Sequence, residues 1–175
     1  MFSINISAMK SITLPKTTLL FLLKQRNTFW SSGDEYASEL SSGLLNSVRF
    51  ITRMIEKSFG FCQPYLEQVV DGNGVDRVVS QIGPQVVIIE ALWVTPEKLS
   101  ELCQLHPGVK WVIRLHSEVP FLANEGIAMD WLNRYNQISS RVLIAANSPR
   151  AARELSQLLQ RNVLYLPNCY EIENS

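Results

Sequence analysis

Six short apolar runs constrain what this chain can fold into. They are Thr17–Lys24, Tyr65–Val70, Gln85–Glu90, Lys110–Leu115, Arg141–Ala146 and Asn162–Leu166. Each of the first five is followed by a polar break and then by apolar residues at helical spacing. Runs such as V-V-I-I-E and W-V-I-R-L do not alternate apolar with polar residues, so both of their faces call for cover, as in a parallel sheet. Strand then helix, five times over, followed by a last strand, predicts an α/β fold. We expect a single Rossmann-like three-layer domain over residues 17–168, with a mostly parallel six-stranded sheet and helices on both faces.

The helices follow from periodicity and from their ends. Leu44, Leu45, Val48, Ile51, Ile55 and Phe59 share one face, and Gly60 is the stop. Asp71-Gly72-Asn73-Gly74 reads as a strand-to-helix turn, because Val75, Val78, Val79 and Ile82 continue at helical spacing up to Gly83-Pro84. Thr95 followed by Pro96 is an N-cap with proline at the first helical position. Leu99, Leu102 and Leu105 follow, and His106-Pro107-Gly108 ends the helix as a structural turn. A helix is predicted from about Asn124 to Tyr135 with Ile127, Trp131 and Leu132 inward. Ser148-Pro149 repeats the cap-then-proline device before Leu155, Leu158 and Leu159.

Outside this frame, residues 1–16 lack a period and are expected to be a poorly ordered extension. Residues 169–175 form a tail. The run Leu19–Leu23 falls far short of the ~20 residues a membrane span needs, and Lys24-Gln25-Arg26 stands where a signal-peptide cleavage site would lie. Sixteen basic residues balance sixteen acidic ones, so charge favours neither nucleic acid nor an anionic membrane. Cys62, Cys103 and Cys169 are far apart, with no C-x-x-C and no His–Cys cluster at metal-ligand spacing. We expect reduced thiols, no metal site and a cytoplasmic protein.

In an open α/β sheet, ligands sit outside the carboxyl ends of the strands. The stretch K-W-V-I-R-L-H-S-E-V-P-F-L-A-N-E-G, from Lys110 to Gly126, ends its strand in His116, Ser117 and Glu118. His116 is the candidate general base, with Glu90, from the end of another strand, as the partner it would need. The alternative is that His116 caps its own loop by bonding backbone. Candidate binding residues are Asn27, Ser32 and Gly33 in the long polar loop after the first strand, Ser117, Asn147 and Ser148, and Asn168. Ser148 also reads as a helix cap, and Glu125 as a charge that complements a helix dipole. Ser32-Gly33 and Ser42-Gly43 offer backbone donors for an anion at the first helix start. Trp30 and Trp93 sit in loops near the rim, to stack on a ligand or to pack the loops. No G-x-G-x-x-G fingerprint and no G-x-S-x-G elbow is present, which disfavours dinucleotide-dependent dehydrogenases and that class of hydrolase.

The strand ending R-L-H-S, then A-A-N-S-P-R-A before a helix, then V-L-Y-L-P-N, resembles the N-terminal half of GT-B glycosyltransferases, within them the family 4 group. His116, Ser148 and Pro167-Asn168 match that pattern. Cys169 stands where the family usually has Gly, and the first loop has no Gly-Gly. The resemblance implies the acceptor-side half of a glycosyltransferase, truncated or split, that transfers a sugar to an acceptor hydroxyl. A nucleotide-sugar would be the donor substrate, with no tightly bound cofactor. A separate C-terminal Rossmann-like domain or chain would be a partner. The alternative it implies is a non-catalytic binding or interaction module derived from such an enzyme. Adjacent first and fourth strands at the topological switch point would agree with it.

Overall fold

The computed structural model describes residues 15–25 and 42–170. The long loop after the first strand, with Asn27, Trp30, Ser32 and Gly33, lies outside the described residues, as does nearly all of the N-terminal extension.

The elements run β1 (Thr17–Lys24), α1 (Ser42–Ser58), β2 (Cys62–Val69), α2 (Gly72–Ile82), β3 (Val86–Glu90), α3 (Pro96–Leu105), β4 (Lys110–Leu115), α4 (Val119–Asn124), α5 (Gly126–Ile138), β5 (Val142–Ala146), α6 (Pro149–Leu159) and β6 (Leu164–Tyr165). The strands form one six-stranded sheet in the order β2-β1-β3-β4-β5-β6, and every pairing is parallel. The fold is α/β and Rossmann-like, as the strand–helix alternation requires.

Because successive strand residues point to opposite faces, each strand feeds two cores. On one face Leu20, Leu22, Val87, Ile89, Trp111 and Ile113 pack against the buried residues of α2, α3, α5 and α6. On the other, Phe21, Leu23, Ile88 and Val112 meet Val48 and Ile51 of α1. Caps end these helices where their residue types say they should. Asp71 accepts from the amides of Asn73 (2.9 Å) and Gly74 (3.1 Å), and Thr95 Oγ1 accepts from Lys98 N at 3.2 Å. Gly83 takes the left-handed conformation past α2.

Several expectations are corrected. The first and fourth strands are not neighbours: β3 lies between them, and the switch point falls between β1 and β3. β2 starts at Cys62 rather than Tyr65, because Thr17 pairs with Cys62. It is an edge strand, where Pro64 and polar residues are tolerated. β6 shrinks to two residues.

The predicted Asn124–Tyr135 helix is α5, and a short helix not expected from the sequence precedes it. α4 begins at Val119 with Pro120 in its first turn, and the chain breaks at Glu125 (φ −84, ψ 88), whose side chain makes no capping bond. Ala128, Leu132 and Tyr135 face inward, while Ile127 is 61% exposed. Leu105 and Leu158 also lie at the surface, and Cys103 and Ala151–Ala152 take the inward positions instead. Burial pushes the Cys103 thiol up. α5 is tied to the α3 layer by the Tyr135 hydroxyl, which donates to Val94 O, and by Arg134, which donates to Glu97. That bond holds the exposed Glu97 carboxyl below its usual range.

Candidate functional site

Glu90 and Arg114 end adjacent strands and stand opposite each other in register. They point to the face covered by α1, where water is excluded: the Arg114 side chain is 1% exposed and that of Glu90 0%. Charges buried this deeply must be paired. Arg114 Nη1 donates to Glu90 Oε1 (3.2 Å) and Oε2 (3.0 Å). Its Nη2 donates to Pro167 O (2.9 Å) and Asn168 Oδ1 (2.8 Å), and its Nε to Leu166 O (3.1 Å). The guanidinium fork is fully used. It clamps the segment after β6 onto the sheet and places the Asn168 carboxamide at the rim.

His116 follows β4 on the same face. Its Nε2 lies 2.6 Å from Glu90 Oε2, and its side chain is 20% exposed. Both Glu90 oxygens accept from Arg114, so the hydrogen-bond network assigns the donor to Nε2. In the neutral ring, Nδ1 then carries the lone pair. A carboxylate that orients an imidazole in this way sets up Nδ1 as a hydrogen-bond or proton acceptor.

The chain turns sharply after Glu90. Ala91 has φ 71, its amide donates to Arg114 O at 2.9 Å, and Trp93 Nε1 donates to Glu90 O at 2.9 Å. Left-handed backbone costs a residue with a Cβ about 1–2 kcal/mol. The turn pulls the chain away from the carboxyl end of β3, and Ala91 borders three clefts there. Replacing Ala91 with Gly is expected to raise stability by about 0.5–1 kcal/mol, the relief of strain less the greater freedom of an unfolded glycine. A thermal melt checks this; a lower midpoint would show that the turn is unstrained.

His116, Asn147 and Asn168 line one cleft together with Leu44, Ser47 and Phe50 of α1, enclosing about 460 Å³. Ser117 lines a smaller one of about 180 Å³ with His116, Leu115 and Leu122. The third, of about 470 Å³, lies between the ends of β1 and β3, with Lys24, Gln25, Leu44 and Trp93 on its walls.

Ser148 is occupied as a cap: its Oγ accepts from Ala151 N (3.0 Å) and donates to Glu118 Oε1 (2.9 Å). Asn27, Ser32 and Gly33 lie outside the described residues. His106 serves structure, its Nε2 lying 2.8 Å from Asp76 Oδ1 beside the Trp111 ring. Among the described residues no group of three or more His, Cys, Asp or Glu side chains converges as metal ligands would.

Sequence reasoning passed over Arg114, Ala91 and Ser47. Arg114 did carry a signal: it is a charge inside the apolar run W-V-I-R-L, and a buried charge needs a partner. No local signal marked the other two.

No family model matches the chain, and no curated protein matches it. A solved two-component response regulator of the LuxR family from Aurantimonas sp. SI85-9A1 superposes with a TM-score of 0.41 at 13% identity, covering 85% of this chain and 89% of that one. At that TM-score the likeness assigns this chain neither an activity nor a partner.

The expected glycosyltransferase relationship is corrected. No glycosyltransferase model or protein matches. The residues that carried the resemblance have work in the fold itself. R-L-H supplies the buried pair and its imidazole, N-S-P starts α6 with a cap and a proline, and L-P-N is the segment that Arg114 clamps. A parallel sheet can need such residues whatever it does. No described helix is long and apolar enough to cross a membrane.

Proposed function

We propose that the chain is a small-ligand-binding α/β domain whose ligand sits at the carboxyl ends of β3, β4 and β5 and is met by His116. One observation carries this reading: an imidazole oriented by a buried carboxylate, part-exposed on the wall of a cleft beside the topological switch point. Clefts at such switch points are where open α/β sheets place ligands. The apolar floor from Leu44 and Phe50 supplies contact area, and Asn147, Asn168 and His116 supply polar contacts. Such a mix of apolar walls and a few convergent polar groups suits a small polar molecule. His116 Nδ1 accepts a hydrogen bond from a ligand hydroxyl or amine.

The test is a heteronuclear NMR titration of the full chain with nucleosides, nucleotides, sugar phosphates and polyols. The expected result is a ligand that shifts the His116 imidazole and the amides of Ala91 and Asn147. His116→Ala is expected to weaken that ligand at least about tenfold, near 1.4 kcal/mol. Glu90 stays bonded to Arg114 in that variant, so stability should fall by no more than about 1.5 kcal/mol. A ligand bound equally well by His116→Ala would refute the assignment.

A further inference from the structure

Ser47, in the second turn of α1, is 4% exposed. Among the described residues its Oγ has no hydrogen-bond partner, yet Ser47 lines the same cleft as His116, Asn147 and Asn168. A buried hydroxyl without a partner is costly to keep. One turn earlier on the same wall comes Gly43, where nothing lies within 4 Å of the place a Cβ would occupy. Near the start of a helix the backbone amides have no intrahelical acceptor, and their partial positive charge favours an anion.

The rest of the wall agrees. Asn168 Oδ1 is taken by Arg114, which leaves its Nδ2 hydrogens to donate. Among the described residues lining this cleft there is no Asp and no Glu, and the nearby Glu90 stands behind the imidazole, paired with Arg114.

We infer that this cleft is a subsite for a phosphate monoester, with the first turns of α1 and Ser47 Oγ on the anion and His116 towards the rest of the ligand. This rests on the reading of the cleft as a ligand site and names the class of ligand. Ser47 Oγ donates to a phosphate oxygen, which gives the buried hydroxyl its missing partner. The Asn168 carboxamide, locked through its oxygen, donates from the opposite side. Because the Glu90–Arg114 pair is neutral as a whole, the anion meets no fixed negative charge on this wall.

The experiment uses the full chain and three probes: inorganic phosphate, adenosine 5′-monophosphate and adenosine, followed by NMR titration and calorimetry. The phosphate-bearing probes are expected to shift the Gly43 to Ser47 amides, and the monophosphate to bind more tightly than adenosine. Ser47→Ala is expected to weaken the monophosphate about tenfold, as for a lost hydrogen bond to a charged group. The same variant should melt at the wild-type temperature or above, because it removes a hydroxyl that has no partner in the free protein.

Loss of affinity without loss of stability supports the subsite. Adenosine binding as tightly as its monophosphate, with Ser47→Ala unchanged and His116→Ala defective, would leave the ligand cleft standing and overturn the phosphate subsite. A monophosphate weakened by Ser47→Ala but indifferent to His116→Ala would support the subsite and refute the role of His116. No shift at Gly43 to Ser47 with either phosphate probe at millimolar concentration would overturn the inference.

Discussion

Replacing Arg114 with Met is expected to cost about 3–5 kcal/mol of stability, the usual penalty for breaking a buried ion pair from one side. The substitution leaves the Glu90 carboxylate in a water-free site with His116 as its remaining partner. It also releases Leu166 O, Pro167 O and Asn168 Oδ1 together. Urea unfolding measures the loss, and hydrogen exchange at residues 166–170 reports the release.

The double variant Glu90→Leu/Arg114→Met separates the two effects. With both charges gone, an apolar pair of similar volume should recover most of the stability, while residues 166–170 stay unprotected. A single Arg114→Met variant within about 1 kcal/mol of wild type would show that water reaches Glu90 and that the clamp is weak.

Trp111→Ala is expected to cost about 3–5 kcal/mol, the range for emptying a large core site. Trp111 is 0% exposed and stands on a central strand between Val87 and Val142, so neighbours on both sides are too constrained to collapse into the space. Trp111→Phe should cost much less, about 1–2 kcal/mol. The indole Nε1 is buried with no partner among the described residues, and its removal offsets part of the lost contact. Denaturant unfolding of the two variants decides it. Equal losses in both would mean that the volume filled does not set the stability of this site and that the indole itself is required.

Much of the frame was legible because it is local. Uninterrupted runs such as Val86–Ile89 have one economical solution, a strand covered on both faces, and the five intervening segments carry their own phase. Thr95-Pro96 and Ser148-Pro149 capped helices as read, because capping needs only neighbours in sequence. The readings that failed needed knowledge of phase or of distant chain. Val119-Pro120 starts a helix as Thr95-Pro96 does, but no Ser or Thr cap marks it in the sequence, and of the residues expected inward on α5 Leu132 is buried while Ile127 is exposed and Ala128 is buried in its stead.

The candidate site divides along the same line. That Glu90 and His116 end strands could be read directly, and that strand ends make sites follows from the topology of parallel sheets. The motifs R-L-H-S, N-S-P-R-A and L-P-N suggested an enzyme family, but short motifs cannot tell a catalytic residue from one that the sheet itself requires.

The amino-acid sequence by itself determined that this chain makes a parallel α/β sheet, because hydrophobic pattern and capping act over a few residues. Only the tertiary structure decided that β3 lies between β1 and β4. It also decided that Arg114 spends its guanidinium on Glu90 and on the segment after β6, and that Ser47 is buried without a partner among the described residues. Those contacts join residues far apart in the chain, and their strength comes from the exclusion of water, which exists only once the sheet and α1 have closed over them.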